Sequence, residues 1–154
     1  MPAYRRWCAV PELRRLGLDD ISVWAELRHA LWPHHSVEEM AAELPEAIAD
    51  GLVGFAAFED GTPIGLAEVD IRSYGDGCET APVPWLEGIY VAPRCRRSGV
   101  ARRLLQMVED WARGEGYVEL GSDAELDNLV SRVAHARWGF TETGRSVMFR
   151  KVLE

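Results

Sequence analysis

Between Ile64 and Arg72 the apolar residues Ala67, Val69 and Ile71 alternate with Glu68, Asp70 and Arg72, the period of a strand with one face in water. The preceding segment, Leu52 to Phe58, is apolar throughout, and Asp60-Gly61 between the two is a hairpin-turn pair. Two antiparallel strands are expected there. Trp85 to Val91 is apolar apart from Glu87 and stops at Pro93, which suits a central strand. The pattern then changes period: Val100, Leu104, Leu105, Val108, Trp111 and Ala112 share one helical face, ending at Gly114 or Gly116.

Upstream, Asp19 or Asp20 can cap a helix over Ile21 to Leu31, stopped by Trp32-Pro33. Ser36-Val37-Glu38-Glu39 forms a capping box, so a second helix runs from Val37 towards Asp50, with Pro45 as internal strain and Gly51 as its stop. Tyr4 to Val10 reads as a first strand, Tyr117 to Ser122 as a short strand, Leu126 to Trp138 as a helix and Ser146 to Leu153 as a last strand. The stretch from Ser73 to Pro84 is polar and punctuated by Gly and Pro, a long loop of the kind that often carries function. The order β-α-α-β-β-β-α-β-α-β predicts an α/β (α+β) fold, a mixed sheet flanked by helices.

At 154 residues with 47% hydrophobic content, residues 1–154 are expected to form a single domain with a real core. The longest apolar run, Leu52 to Phe58, is far short of the roughly 18 residues a membrane helix needs, and no apolar stretch follows the basic start. No membrane partner and a cytoplasmic location are expected. Cys8, Cys78 and Cys95 fit neither a disulfide framework nor a zinc site, so free thiols and no metal are expected. A net charge of −8 repels nucleic acid and attracts cations. The one basic patch is Arg94, Arg96, Arg97, Arg102 and Arg103, between the central strand and the following helix.

There a strand feeds a turn in which Gly99 and Ala101 leave room beside the backbone, and a helix begins with unpaired N–H groups and a positive dipole end. Such a turn suits an anion, most naturally a pyrophosphate. It is neither a Walker A loop nor a dinucleotide fingerprint. A plain helix start with solvated arginines remains the alternative on these residues alone.

The run Arg96-x-x-Gly99-x-Ala101 after a central strand, with Asn128 and Gly139-Phe140 downstream, resembles the GCN5-related N-acetyltransferases. The resemblance implies the GNAT fold: a mostly antiparallel mixed sheet of about six to seven strands, about four helices, and acetyl-CoA in the splay between central strands. It implies that the pantetheine arm pairs with backbone of Ile89, Tyr90 and Val91. N–H groups of Arg97, Gly99, Val100, Ala101 and Arg102, in the turn from Arg96 to Arg102, would cradle the pyrophosphate, and Asn128 would reach the pantetheine or thioester region. Where most relatives place a Tyr to protonate the leaving thiolate, this sequence has His135, for which packing within a helix is the competing role.

Leu27-Arg28-His29-Ala30-Leu31-Trp32-Pro33, Leu86-Glu87-Gly88-Ile89, Ser122-Asp123 and His135 resemble the aminoglycoside 6'-N-acetyltransferases. That likeness implies direct acetyl transfer to a 6'-amino group, antibiotic resistance and a homodimer. It also implies acceptor contacts from Trp32, His35 and Tyr74. The net charge independently favours a polycationic acceptor. Candidate acids are Glu38, Glu39, Asp76, Glu79, Glu87, Asp123, Glu125, Asp127 and Glu142. Glu87 stands out because a carboxylate inside an apolar strand must be paired or functional. It is the candidate proton acceptor, through water, and Asp123 the candidate holder or base of the amine. Two alternatives stay open: an acetyltransferase for a polyamine or protein N-terminus, and a CoA-binding regulatory module without catalysis.

Overall fold

The computed structural model describes residues 10–153. The chain forms two compact units, one through Ser122 and one from Asp123 onward. The first unit runs β1 (Glu12–Arg15), α1 (Ile21–Leu31), α2 (Val37–Ala49), β2 (Val53–Glu59), β3 (Thr62–Arg72), β4 (Val83–Val91), α3 (Val100–Gly114) and β5 (Gly121–Ser122). These strands make one sheet in the order β1-β2-β3-β4-β5. All neighbours are antiparallel except β4 and β5, which are parallel.

The hairpin between β2 and β3 turns at Asp60 (φ 50°) and Gly61 (φ 77°), the two positive φ angles that match strand twist. The sheet carries a helix layer on each face. A side chain at Gly65 would meet Val100 and Leu104 of α3, and Phe55 lies 6.3 Å from Trp111, so α3 covers that face. On the other face Leu66 joins a buried cluster with Trp24, Leu27, Met40 and Leu44, from α1 and α2. The α2 capping box forms as its sequence suggests: Ser36 Oγ accepts from Glu39 N–H (3.2 Å) and Glu39 accepts from Ser36 N–H (2.8 Å).

Several expectations are corrected. The expected strand over Tyr4 to Val10 lies almost wholly outside the described residues; Val10 is not in a strand, and the first described strand is Glu12–Arg15. Asp20 occupies the position before α1 without capping it through its side chain; it accepts from Gly17 N–H (2.9 Å) and pairs with Arg14 (2.8 Å). The face of β3 expected to be wet is covered at Glu68, because α1 lies over it. β5 is two residues long rather than six.

In the second unit α4 (Leu129–Arg137) starts later than expected because the Asn128 side chain accepts from Ser131 N–H (3.0 Å) and fixes the cap there. Residues 140–153 form neither helix nor strand, so the strand expected over Ser146 to Leu153 is not among the described elements, and the described sheet has five strands.

Candidate active site

Two features of the first unit converge on β4. The first is an open strand edge leading to a turn. β4 pairs with β5 only at Trp85–Gly121 and Leu86–Ser122, and Ser122 Oγ donates to Leu86 O (3.1 Å). Beyond that point, among the described residues, no strand pairs with Gly88–Val91 on this side, and an extended ligand can add there as a strand would. The chain then passes a short helical turn at Pro93–Cys95 and takes left-handed backbone at Arg97 (φ 61°) and Gly99 (φ 88°) before α3. The first rung of α3 is Arg103 N–H to Gly99 O (3.1 Å), so the amides of Val100, Ala101 and Arg102 stand ahead of the helix ladder. Successive amides of this kind at a helix start make an anion cradle. Arg96 Nε donates to Val91 O (3.0 Å), and Arg94 pairs with Glu59. Arg102 reaches Glu109 at 3.4 Å.

The second feature is a cleft of about 680 Å³ between α1, α2 and the sheet, with Trp32, Glu43, Asp50, Asp70 and Glu87 among its lining. Glu87 enters it through a bulge. Glu68 pairs with Gly88 and Val69 with Leu86, which leaves Glu87 as the extra residue of β4. Arg72 grips it with two hydrogen bonds, Nε to Oε1 (2.9 Å) and Nη2 to Oε2 (2.8 Å), while stacking 4.4 Å over Trp85. Gly88 explains the close wall beside it: a Cβ there would lie 2.6 Å from Leu31 and 2.7 Å from Trp32. Deeper in, Glu68 accepts from Trp24 Nε1–H and meets Arg28 Nε at 2.9 Å. Burial pushes its carboxyl up to about 6, opposed by Arg28 and Trp24 and reinforced by the charge of Glu87.

A helix start that cradles an anion beside an open strand edge and an acid-lined cleft suits a phosphate-bearing donor and a cationic acceptor. The sequence matches the acetyltransferase (GNAT) family over residues 19–140. The chain belongs to that family. The acetyltransferase is 45% identical to aminoglycoside N(6')-acetyltransferase type 1 of Serratia marcescens, over 88% of this chain and 94% of that protein. It is 41% identical to the protein of the same name from Stenotrophomonas maltophilia, over 95% and 96%. It superposes on the solved structure of AAC(6')-Iy in complex with the bisubstrate analog CoA-S-monomethyl-acetylneamine with a TM-score of 0.87. That pair is 36% identical, over 94% of this chain and 100% of the other.

Of the residues the acetyltransferase sequence singled out, Trp32, His35 and Glu87 line the cleft. Ile89, Tyr90 and Val91 lie on the open edge, and Arg96, Arg97, Gly99, Val100, Ala101 and Arg102 form the turn. Tyr74 is not among the cleft-lining residues; it is exposed on the loop after β3, and its hydroxyl donates to Asp76 (3.0 Å). Asp123, Asn128 and His135 belong to the second unit. His135 Nδ1 lies 2.8 Å from Ser131 O, and its ring packs edge-on to Phe140 at 5.1 Å. Among the other candidate acids, Glu39 is used in the α2 cap, whose amide holds its carboxyl below the usual range, and Glu142 is paired by Arg145 (2.6 Å).

Sequence reasoning missed Arg72, Glu68, Arg28, Glu43, Asp50 and Asp70. Asp70 and Arg72 look like ordinary outward positions of an alternating strand, and Glu43 and Asp50 like solvated helix positions. The one available signal was the bulk around Glu87: a carboxylate in an apolar strand requires a counter-charge, and Arg72 is the cation of the adjoining strand.

Proposed function

We propose that this acetyltransferase moves acetyl from acetyl-CoA directly to the 6'-amino group of aminoglycosides, an activity that confers antibiotic resistance. The observation that carries the reading is the acid-lined cleft into which the bulge of β4 turns Glu87. An acceptor with several ammonium groups matches that charge, and the similar proteins named above support the 6' position.

Acetyl-CoA, when bound, supplies the thioester whose carbonyl the amine attacks. Amides of Arg97, Gly99, Val100, Ala101 and Arg102 hold its pyrophosphate, and edge groups of Ile89, Tyr90 and Val91 pair with its pantetheine arm. The turn geometry fits: left-handed backbone at Arg97 and Gly99 precedes amides that come before the first rung of α3. A protonated amine cannot attack, so the site must draw in an ammonium and then take its proton. Arg72 engages both Glu87 oxygens, and a carboxylate has about four acceptor positions. The remaining ones hold the ammonium, or a water that carries the proton away. Trp32 and His35 bound the acceptor, with Tyr74 reaching it from its loop. Asp123 steadies or deprotonates the amine, Asn128 contacts the thioester arm, and His135 returns a proton to the leaving thiolate.

We further infer that residues 1–154 work as one domain, which the family match running across Ser122–Asp123 supports. We also infer a homodimer, as the likeness to the aminoglycoside 6'-N-acetyltransferases implies. We infer a cytoplasmic location, which a Cys78 thiol outside any disulfide fits. Among the described residues no helix is long and apolar enough to cross a membrane.

The test is acetyl-CoA-dependent thiol release with kanamycin, a 6'-hydroxyl aminoglycoside, spermidine and an N-terminal peptide in parallel. Turnover of kanamycin with little of the 6'-hydroxyl compound is the expected result. Turnover of spermidine or peptide alone would replace the acceptor, and donor binding without turnover would leave a CoA-binding regulatory module.

A further inference from the structure

In the middle of β3 the Glu68 side chain is 1% exposed, the one charged residue buried in the core among those described. A buried carboxylate is costly unless charge and hydrogen bonds compensate it. Both of its partners come from successive turns of α1: Trp24 donates its indole N–H, and Arg28 presents Nε at 2.9 Å. A further turn along, the Arg28 guanidinium lies 5.6 Å from the Trp32 ring centroid. Trp32 in turn packs on Gly88, which is both the cross-strand partner of Glu68 and the neighbour of Glu87. The contacts therefore close a circuit from β3 through α1 to β4, and Glu68, Arg28, Trp32 and Glu87 all line the cleft.

A buried ion pair adds little net stability compared with apolar residues of similar size. What this one supplies is placement and charge balance. Without a buried anion at Glu68, the guanidinium of Arg28 would stand uncompensated in a cleft whose other charges favour a polycation. We propose that Glu68 is a positioning residue for the acceptor: it neutralises and aims Arg28, and through Arg28 it fixes Trp32 as the cleft wall beside Glu87. The inference rests on the cationic acceptor proposed above, and it assigns Glu68 no contact with the reacting atoms.

The test compares wild type, Glu68→Gln and the double variant Glu68→Gln/Arg28→Met, in kinetics with kanamycin and acetyl-CoA varied separately. Glu68→Gln is expected to raise the KM for kanamycin about tenfold, the effect of an unbalanced charge at the mouth of a partly desolvated cleft. The KM for acetyl-CoA is expected to stay within about twofold, because that site is built at the α3 turn. The double variant removes the cation together with its partner, and Met still packs on Trp32. Its kanamycin KM is expected to return to within about threefold of wild type. A kanamycin KM for Glu68→Gln near the wild-type value, equal rises in both KM values, or a double variant as impaired as the single one would each overturn the proposal. Should Glu68→Gln fail to fold, the double variant read alone decides: replacement of a buried pair as a unit is tolerated, and a kanamycin KM raised about tenfold or more would sink the idea. Wild-type turnover in the same assay tests the acceptor reading separately; if only another cationic amine is turned over, the same ratios are measured with that amine.

Discussion

Along β3 the residues facing α3 are Gly65, Ala67 and Val69, small and apolar, whereas those facing α1 and α2 run Leu66, Glu68, Asp70 and Arg72, charged from Glu68 onward. The two faces do different work with the same strand. On the α3 side, packing by Val100, Leu104, Leu105 and Val108 holds a helix whose first turn presents backbone amides. On the α1 and α2 side, the sheet carries charge inward, and the cleft is made of side chains held by other side chains. A site of backbone amides depends on local conformation; a site of paired side chains depends on contacts between residues distant in sequence. The first should fail through glycine and dihedral angles, the second through loss of a partner.

The largest expected effect separates the faces. Glu87→Gln keeps the shape of the bulge but removes the charge that Arg72 grips, and it is expected to lower kcat/KM for an aminoglycoside by about 100-fold or more. The KM for acetyl-CoA should hold within about twofold. Steady-state thiol release with each substrate varied in turn checks this. An equal loss on the donor side would show that the two faces do not act separately.

Gly99→Val probes the opposite face. Gly99 has φ 88°, and a side chain forced into left-handed backbone costs about 1–2 kcal/mol, more for a β-branched one. The expected outcome is a KM for acetyl-CoA raised about tenfold, since the amides it orients carry the pyrophosphate, with the acceptor KM little changed. Calorimetric titration of CoA gives the same comparison without turnover. Undiminished CoA affinity would mean that the turn does not hold the ligand.

The same contrast explains what could be read from the sequence. The α3 turn is contiguous, so Arg96, Gly99 and Ala101 announce it, and the capping box of Ser36 and Glu39 announces α2 with equal directness. Glu87 was legible as an anomaly, a carboxylate in an apolar strand. Its partner Arg72 was not, because register decides which residues of β3 oppose β4, and the bulge shifts that register by one residue. Glu68 was misread as facing water since alternation reports which face a residue occupies, not what covers that face.

Glu68 also provides a thermodynamic handle on the buried face. Its carboxyl is pushed up from 4.5 to about 6, so the folded state holds that proton more tightly than the unfolded chain. The contribution is fully present below 4.5 and is lost as pH rises through about 6. Gln does not titrate, so the stability of Glu68→Gln relative to wild type is expected to rise by about 2 kcal/mol between pH 4 and pH 7. The difference between the two proteins cancels the other carboxylates, including Asp20 and Glu119, whose lowered values push the other way. Urea unfolding of both proteins at several pH values measures it. A difference independent of pH would show that the carboxyl is not perturbed by burial.

The smallest effect tests whether the cleft depends on the entry of α2 or only on its body. Ser36→Ala removes the oxygen that takes the Glu39 amide and is expected to cost about 1 kcal/mol, lowering Tm by a few degrees. Helix ends fray within the first turn, whereas Glu43 and Asp50 lie further along, and Met40 and Leu44 anchor the helix in the core. The acceptor KM should therefore stay within about twofold while Tm falls, as thermal melting and thiol release on one preparation will show. A KM that rises in step with the loss of Tm would instead show that His35, which lines the cleft beside the cap and whose carbonyl lies 2.7 Å from His29 Nδ1, depends on that cap for its place. The acceptor side would then extend along α1 and across the loop into the first turn of α2, and the face built from side chains would prove as sensitive to a lost cap as to a lost charge.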